Sequence, residues 1–118
     1  MIRLGDIAHA RSGDKGSSAN VGVIAYTPEG YSFLQSALTE SRVAEYFKPL
    51  GPTEVKRYEL PKLDALNFVL TGILAGGGSR SLRVDAQGKA LGQAILEMSL
   101  PVDGSPNPAW FPDPETIP

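Results

Sequence analysis

Cysteine is absent from the 118 residues, which removes disulfides, thiolate nucleophiles and cysteine-bound metals together. Histidine occurs once, as His9, so a site built from several imidazoles does not fit within one chain. No run approaches the ~18 consecutive apolar residues of a membrane-spanning helix. The opening Met1-Ile2-Arg3-Leu4-Gly5-Asp6 lacks the basic and apolar regions of a secretory signal. Lysine and arginine are missing after residue 100, where Asp103, Asp113 and Glu115 stand without them. The whole chain carries a formal charge of −2 and its first hundred residues are close to neutral, too little positive charge for a general nucleic-acid binder. These absences predict a cytoplasmic protein with no metal or cofactor and with no nucleic-acid or membrane partner.

What is present reads as one globular domain. Hydrophobic residues make up 42% and charged residues 20%, and the length suits a single core. In residues 2–10, Ile2, Leu4, Ala8 and Ala10 share one parity and predict a strand. Val21-Gly22-Val23-Ile24-Ala25-Tyr26, nearly continuous in apolar residues, predicts a central strand reached by a hairpin-like return. Thr27-Pro28-Glu29-Gly30 reads as a turn. Tyr31, Leu34 and Leu38, then Val43, Tyr46 and Phe47, recur at helical spacing. They predict two short helices or one kinked helix, with Thr39 capping the second and Pro49 and Gly51-Pro52 ending the stretch.

Residues 53–60 read as a strand stopped by Pro61. Leu63, Leu66, Leu70 and Leu74 fall at i, i+3, i+4 spacing and predict an amphipathic helix ended by Gly76-Gly77-Gly78. Phe68 and the β-branched residues make a strand the competing reading. A short strand at 81–84 follows, then either a tight hairpin turn at 85–89 or a helix capped by Asp85 and running to about Ala94, and a strand from Ile95 to Val102. Six of the ten prolines lie in residues 101–118, which predicts an extended tail. In that tail Trp110-Phe111 is an aromatic anchor for this domain, a sister subunit or another protein, or else part of a plain spacer. The interleaving of strands and helices predicts an α+β, ferredoxin-like sandwich over residues 1–102, with a mixed or antiparallel sheet and helices on one face, followed by the tail 103–118.

The chemistry concentrates in His9-Ala10-Arg11-Ser12-Gly13-Asp14-Lys15-Gly16-Ser17-Ser18-Ala19-Asn20, read as a long polar loop between two pieces of core. In that reading Gly13 and Gly16 let backbone amides turn inward, Arg11 and Lys15 add positive charge, and Ser12 and Ser17 add donors. The set suits a phosphate, a carboxylate or an acyl-CoA diphosphate; the plainer alternative is a tight connection whose Asp14 and serines satisfy their own backbone. The spacing fits neither a P-loop nor a dinucleotide fingerprint. Gly13-Asp14-Lys15-Gly16 matches the short G-x-x-G of KH domains, but that loop joins helices. His9 is a candidate acid/base because its ordinary pKa is near neutral, or a structural histidine at a strand end. Ser79 and Arg80 form a second polar cluster, with Arg80 expected to meet Asp6, Asp14 or a ligand anion. Asn67 could serve either arrangement.

Several of these segments resemble a known family. Asp6-Ile7-Ala8-His9-Ala10-Arg11-Ser12-Gly13-Asp14-Lys15-Gly16, Ala19-Asn20-Val21-Gly22-Val23-Ile24-Ala25, Leu66-Asn67-Phe68-Val69-Leu70, Gly76-Gly77-Gly78-Ser79-Arg80-Ser81-Leu82-Arg83 and Asp85-x-Gln87-Gly88-Lys89 are similar to the small C-terminal domain of acyclic-terpene-utilisation (AtuA) proteins, over about residues 3–102. The resemblance implies a ferredoxin-like fold and a setting in bacterial breakdown of citronellol- and geraniol-type terpenoids through acyl-CoA intermediates. It carries over no catalytic residue. The large N-terminal domain of that family is missing here, which points to a large AtuA-type partner protein or a homo-oligomer. An acyl-CoA or organic anion is the expected ligand.

Overall fold

The polar stretch is a β-hairpin. In the computed structural model, which describes residues 1–15, 18–72 and 89–112 (14, 15, 89 and 90 by backbone only), strand β2 spans Ala8–Lys15 and strand β3 spans Ser18–Ala25. They pair antiparallel from Ala8↔Ala25 to Lys15↔Ser18. The expected long loop is therefore corrected to sheet. The strand expected over 2–10 is likewise split: β1 covers only Ile2–Arg3, and a 3₁₀ turn at Leu4–Asp6 separates it from β2.

The next segment follows its capping signals. Thr27 accepts the Gly30 amide at 2.9 Å and starts helix α1, Pro28–Ala37, with proline at its first position. The turn expected at 27–30 is thus the first turn of this helix. Thr39 accepts the Arg42 amide at 3.1 Å and starts helix α2, Glu40–Tyr46, as expected. Gly51, in the left-handed region at φ 71°, ends the short turn that follows.

Strand β4, Glu54–Leu60, stops at Pro61, and a 3₁₀ turn at Pro61–Leu63 leads into strand β5, Ala65–Thr71. The helix expected from Leu63 to Leu74 is overturned here, and its competing reading as a strand holds. Leu66, Phe68 and Leu70 are buried while Ala65, Asn67 and Val69 take the other face, a period of two. Burial of that alternating face between two strands outweighs the leucine spacing. Helix α3 covers Lys89–Leu96, and strand β6, Ser99–Leu100, pairs with β1. The expected last strand from Ile95 is therefore shortened to two residues.

The main sheet has the order β2-β3-β5-β4, antiparallel throughout. β3 and β4 run parallel with β5 between them, and the helical pair α1–α2 connects them. This is the split β-α-β unit of a ferredoxin-like sandwich. The outer place beside β3 is taken by β2, from the preceding hairpin. The three described helices share one face of the sheet with the core: Val21, Val23, Leu66, Phe68 and Leu70 of the sheet meet Leu34, Leu38, Val43, Leu91 and Ile95. No described helix covers the opposite face.

After Leu100 the chain crosses back to α1. A 3₁₀ turn at Pro108–Trp110 rests on that helix, with the Trp110 and Phe33 rings stacked at 4.0 Å. Thr27 Oγ1 donates to the Ala109 carbonyl at 2.7 Å. A Cβ on Gly30 would come within 3.3 Å of the Trp110 carbonyl, so the tail's close passage explains a glycine in the first turn of a helix. Among the anchor alternatives, the described part of the tail docks on its own domain.

Candidate functional site

The open face of the sheet holds the site. Because side chains alternate along a strand, the register sorts the hairpin into two sets. Ala8, Ala10 and Ser12 share the helix side with Val23 and Val21. His9, Arg11 and Gly13 share the open side with their partners Ile24, Gly22 and Asn20. β5 continues these rows with Ala65, Asn67 and Val69, and β4 with Leu60, Tyr58 and Lys56. One row therefore reads Arg11–Gly22–Asn67–Tyr58 across four strands, and the next reads His9–Ile24–Ala65–Leu60.

Two missing side chains hollow this surface. A Cβ on Gly13 would lie 3.2 Å from Asn20 Oδ1, and one on Gly22 would lie 3.8 Å from Asn67 Oδ1. Gly13 thus lets Asn20 lie close across the neighbouring strand, while at Gly22 a side chain would meet Asn67 only at ordinary contact distance. Asn20 Nδ2 donates to Asn67 Oδ1 at 3.4 Å, a long bond that ties the two amides together. The result is a trough of about 480 Å³ whose lining includes His9, Arg11, Gly13, Asn20, Gly22 and Asn67. Ile24, Ala65, Leu60 and Leu63 line the same depression.

The trough has a polar part and an apolar part. Arg11, Asn20 and Asn67 lie toward the hairpin tip, and Ile24, Ala65, Leu60 and Leu63 toward the other end of the strands. His9 is exposed and stacks on Tyr26, with ring centroids 5.3 Å apart and planes inclined by 29°. Arg11 is also exposed and forms no ion pair with a described carboxylate.

Of the candidate residues, His9, Arg11, Ser12, Gly13, Asn20 and Asn67 come together around this trough. Ser12 borders it while its hydroxyl is turned to α3, where it accepts the Gly92 amide at 3.3 Å and takes part in the packing of helix on sheet. Gly13 sits in extended strand without a positive φ, which overturns its expected part in an inward-turned amide nest. The backbones of Asp14 and Lys15 continue β2, while their side chains, with Gly16, Ser17, Ser79 and Arg80, lie outside the described residues. Asp6, a candidate partner for Arg80, stands 3.6 Å from Arg3.

Sequence reasoning missed Gly22, Ile24, Leu60, Leu63 and Ala65. The signals were a glycine inside an apolar strand and two exposed leucines flanking Pro61 and Lys62. Among the described residues, Tyr26, Tyr58, Leu60 and Leu63 are four of the six exposed large hydrophobics, and all four border this face. Single exposed apolar residues are ordinary; a cluster on one face is a binding signal.

The family model described as the AtuA ferredoxin-like domain matches residues 2–101. No curated protein and no solved structure matches the chain.

Proposed function

The chain belongs to the AtuA ferredoxin-like domain family, and from that premise we propose that it is an accessory binding domain whose working surface is the open face of its sheet. It associates with a large AtuA-type partner or with itself, and it contributes Arg11, Asn20 and Asn67 to a site for an anionic metabolite, an acyl-CoA or organic acid. The observation that carries this reading is the trough. A guanidinium without a described carboxylate partner and two linked carboxamides stand beside four exposed apolar side chains on a sheet face that no described helix covers. A guanidinium offers a carboxylate or phosphate two parallel donors. An uncovered, partly apolar sheet face is costly to leave in water and suits association.

The test joins two measurements on the full chain. Sedimentation velocity, alone and mixed with a large AtuA-type protein, is expected to show an oligomer or a complex. Calorimetric titration with acyl-CoAs and organic acids is expected to show uptake of an anion that Arg11→Gln weakens. A chain that stays monomeric, ignores the partner and takes up no anion contradicts the proposal.

A second reading is favoured by the position of His9 in the same trough, beside the Arg11 row. There the chain is a small enzyme of acyl-CoA or hydroxy-acid metabolism, with His9 moving a proton and Arg11 holding the anion. His9→Gln then abolishes turnover without altering the unfolding midpoint; unchanged turnover rejects this role.

A further inference from the structure

We infer that the trough on the open sheet face takes a free medium-chain monocarboxylate, a ligand with one carboxylate head and a single apolar body. The inference rests on the reading of that trough as an anion site and names the ligand class.

Three features of the trough select this chemistry. The first is the order of its lining along the strands. From the Gly13–Asn20 pair to the His9–Ile24 pair is four residues of antiparallel strand. That distance is about 13 Å, the length of an extended chain of roughly eight to ten carbons. Donors occupy the tip end and middle of this distance, and the far end is carbon from Ile24, Ala65, Leu60 and Leu63, bordered by the His9 ring stacked on Tyr26. A ligand that satisfies both ends is polar at one end only.

The second feature is charge. Among the described lining residues Arg11 is the one cation. One guanidinium with neighbouring amide donors matches one carboxylate, by a bidentate pair and side-on hydrogen bonds. A bare phosphate would leave the apolar end without an occupant, and an alcohol would leave the guanidinium without an anion.

The third feature is the floor. Gly22, in the row next to Ile24 and Ala65, presents no side chain, and a Cβ there would make ordinary van der Waals contact, 3.8 Å from the Arg11 carbonyl and from Asn67 Oδ1. A narrow alkyl chain can therefore lie against the sheet itself, in contact with the edge of Asn67 and the face of the His9 ring. Each methylene removed from water there raises affinity about fourfold, so affinity should climb with chain length until the trough is filled.

The experiment is calorimetric titration of the full chain with sodium octanoate, acetate, 1-octanol and octanoyl-CoA as probes. Octanoate is expected to bind with one site per chain, with acetate at least about a hundredfold weaker because it lacks six methylenes. Arg11→Gln is expected to weaken octanoate about tenfold or more through loss of the charge-assisted pair. Gly22→Val fills the floor and is expected to abolish octanoate uptake, with its circular dichroism spectrum checked against the parent. Lys48→Gln, on a turn away from the open face, should bind as the parent does. Absence of octanoate binding, equal binding of 1-octanol, or indifference to both Arg11→Gln and Gly22→Val overturns the inference. If octanoyl-CoA alone binds and Arg11→Gln weakens it, the ligand class is wrong and the broader anion-site reading stands. If none of the anions binds, both fall.

Discussion

Arg57 ties the end of α1 to β4 through one side chain. Its guanidinium donates to the carbonyls of Gln35 and Leu38, each at 2.9 Å, and to Glu59 at 3.0 Å. Those carbonyls lie at the C-terminal end of α1, where a helix leaves acceptors unpaired and carries partial negative charge. Arg42 takes the Ala37 carbonyl at 2.9 Å in the same way. Arg57→Ala is expected to cost about 1–3 kcal/mol, read as a lower urea midpoint with unchanged slope. Arg57→Lys should recover only part of this, because an ammonium cannot span both carbonyls in the planar fork.

Tyr31 makes the opposite case at the same scale. Its hydroxyl is buried and has no hydrogen-bond partner among the described residues. Burial pushes its pKa above the ordinary 10.0, with Glu59 and Asp64 adding to the rise and Arg57 opposing it. Tyr31→Phe removes an unsatisfied group while keeping the ring, so it should leave stability equal or raise it by up to about 1 kcal/mol. A clear loss in the urea midpoint would mean that the hydroxyl has a partner.

At the scale of elements, legibility in the sequence followed how local the determining signal was. The caps Thr27 and Thr39 act within three residues, and Pro61 acts on its own backbone. α2 and β4 could therefore be read closely, while Pro28 hid the start of α1 by looking like a turn. β5 was misread because a spacing of four is also a multiple of two. Leu66 and Leu70 suit a helix face and a strand face equally, and the decision belongs to β3 and β4 on either side. The hairpin-like return was legible, but its polar stretch was misread as a long loop for another reason. Its open face carries His9, Arg11 and Asn20, residues that a sequence pattern assigns to loops, and nothing local says that such a face is functional. The six residues that were anticipated and do gather there are a consequence of that same concentration of polar groups. Phe68, buried on β5 at the centre of the core, tests this assignment. Phe68→Ala is expected to cost about 3–5 kcal/mol, a value reserved for a core ring. The same substitution at the open-face neighbour Val69 should cost far less.

For the molecule as a whole, two features join distant parts of the chain. The tail's Trp110, the single tryptophan, stacks on Phe33 and holds the described end of the chain against α1. Gly30→Ala adds a methyl under the Trp110 carbonyl and should loosen this contact. The expected signature is a red shift of tryptophan emission while the far-ultraviolet circular dichroism stays unchanged. The second feature is alkaline stability. Tyr31 and Tyr46 are both raised, chiefly by burial, with Glu59 the next contributor at the first and Glu97 at the second. A phenol raised in the native state contributes stability that is present below its unfolded value of 10.0. That stability is lost as pH climbs through the native one. The urea midpoint should therefore hold at about pH 8 and fall by about pH 11, with a shallower fall in Tyr31→Phe.

Backbone amide mapping probes the face of the sheet opposite the helices. Sodium octanoate is titrated into the isotopically labelled chain and the shifted amides are placed on the fold. The shifts are expected to gather on His9, Arg11, Asn20, Gly22, Ile24 and Asn67 and to be suppressed by Arg11→Gln. Shifts confined to the helical layer around α1 and α2, or none at concentrations where the probe stays monomeric, would contradict this placement.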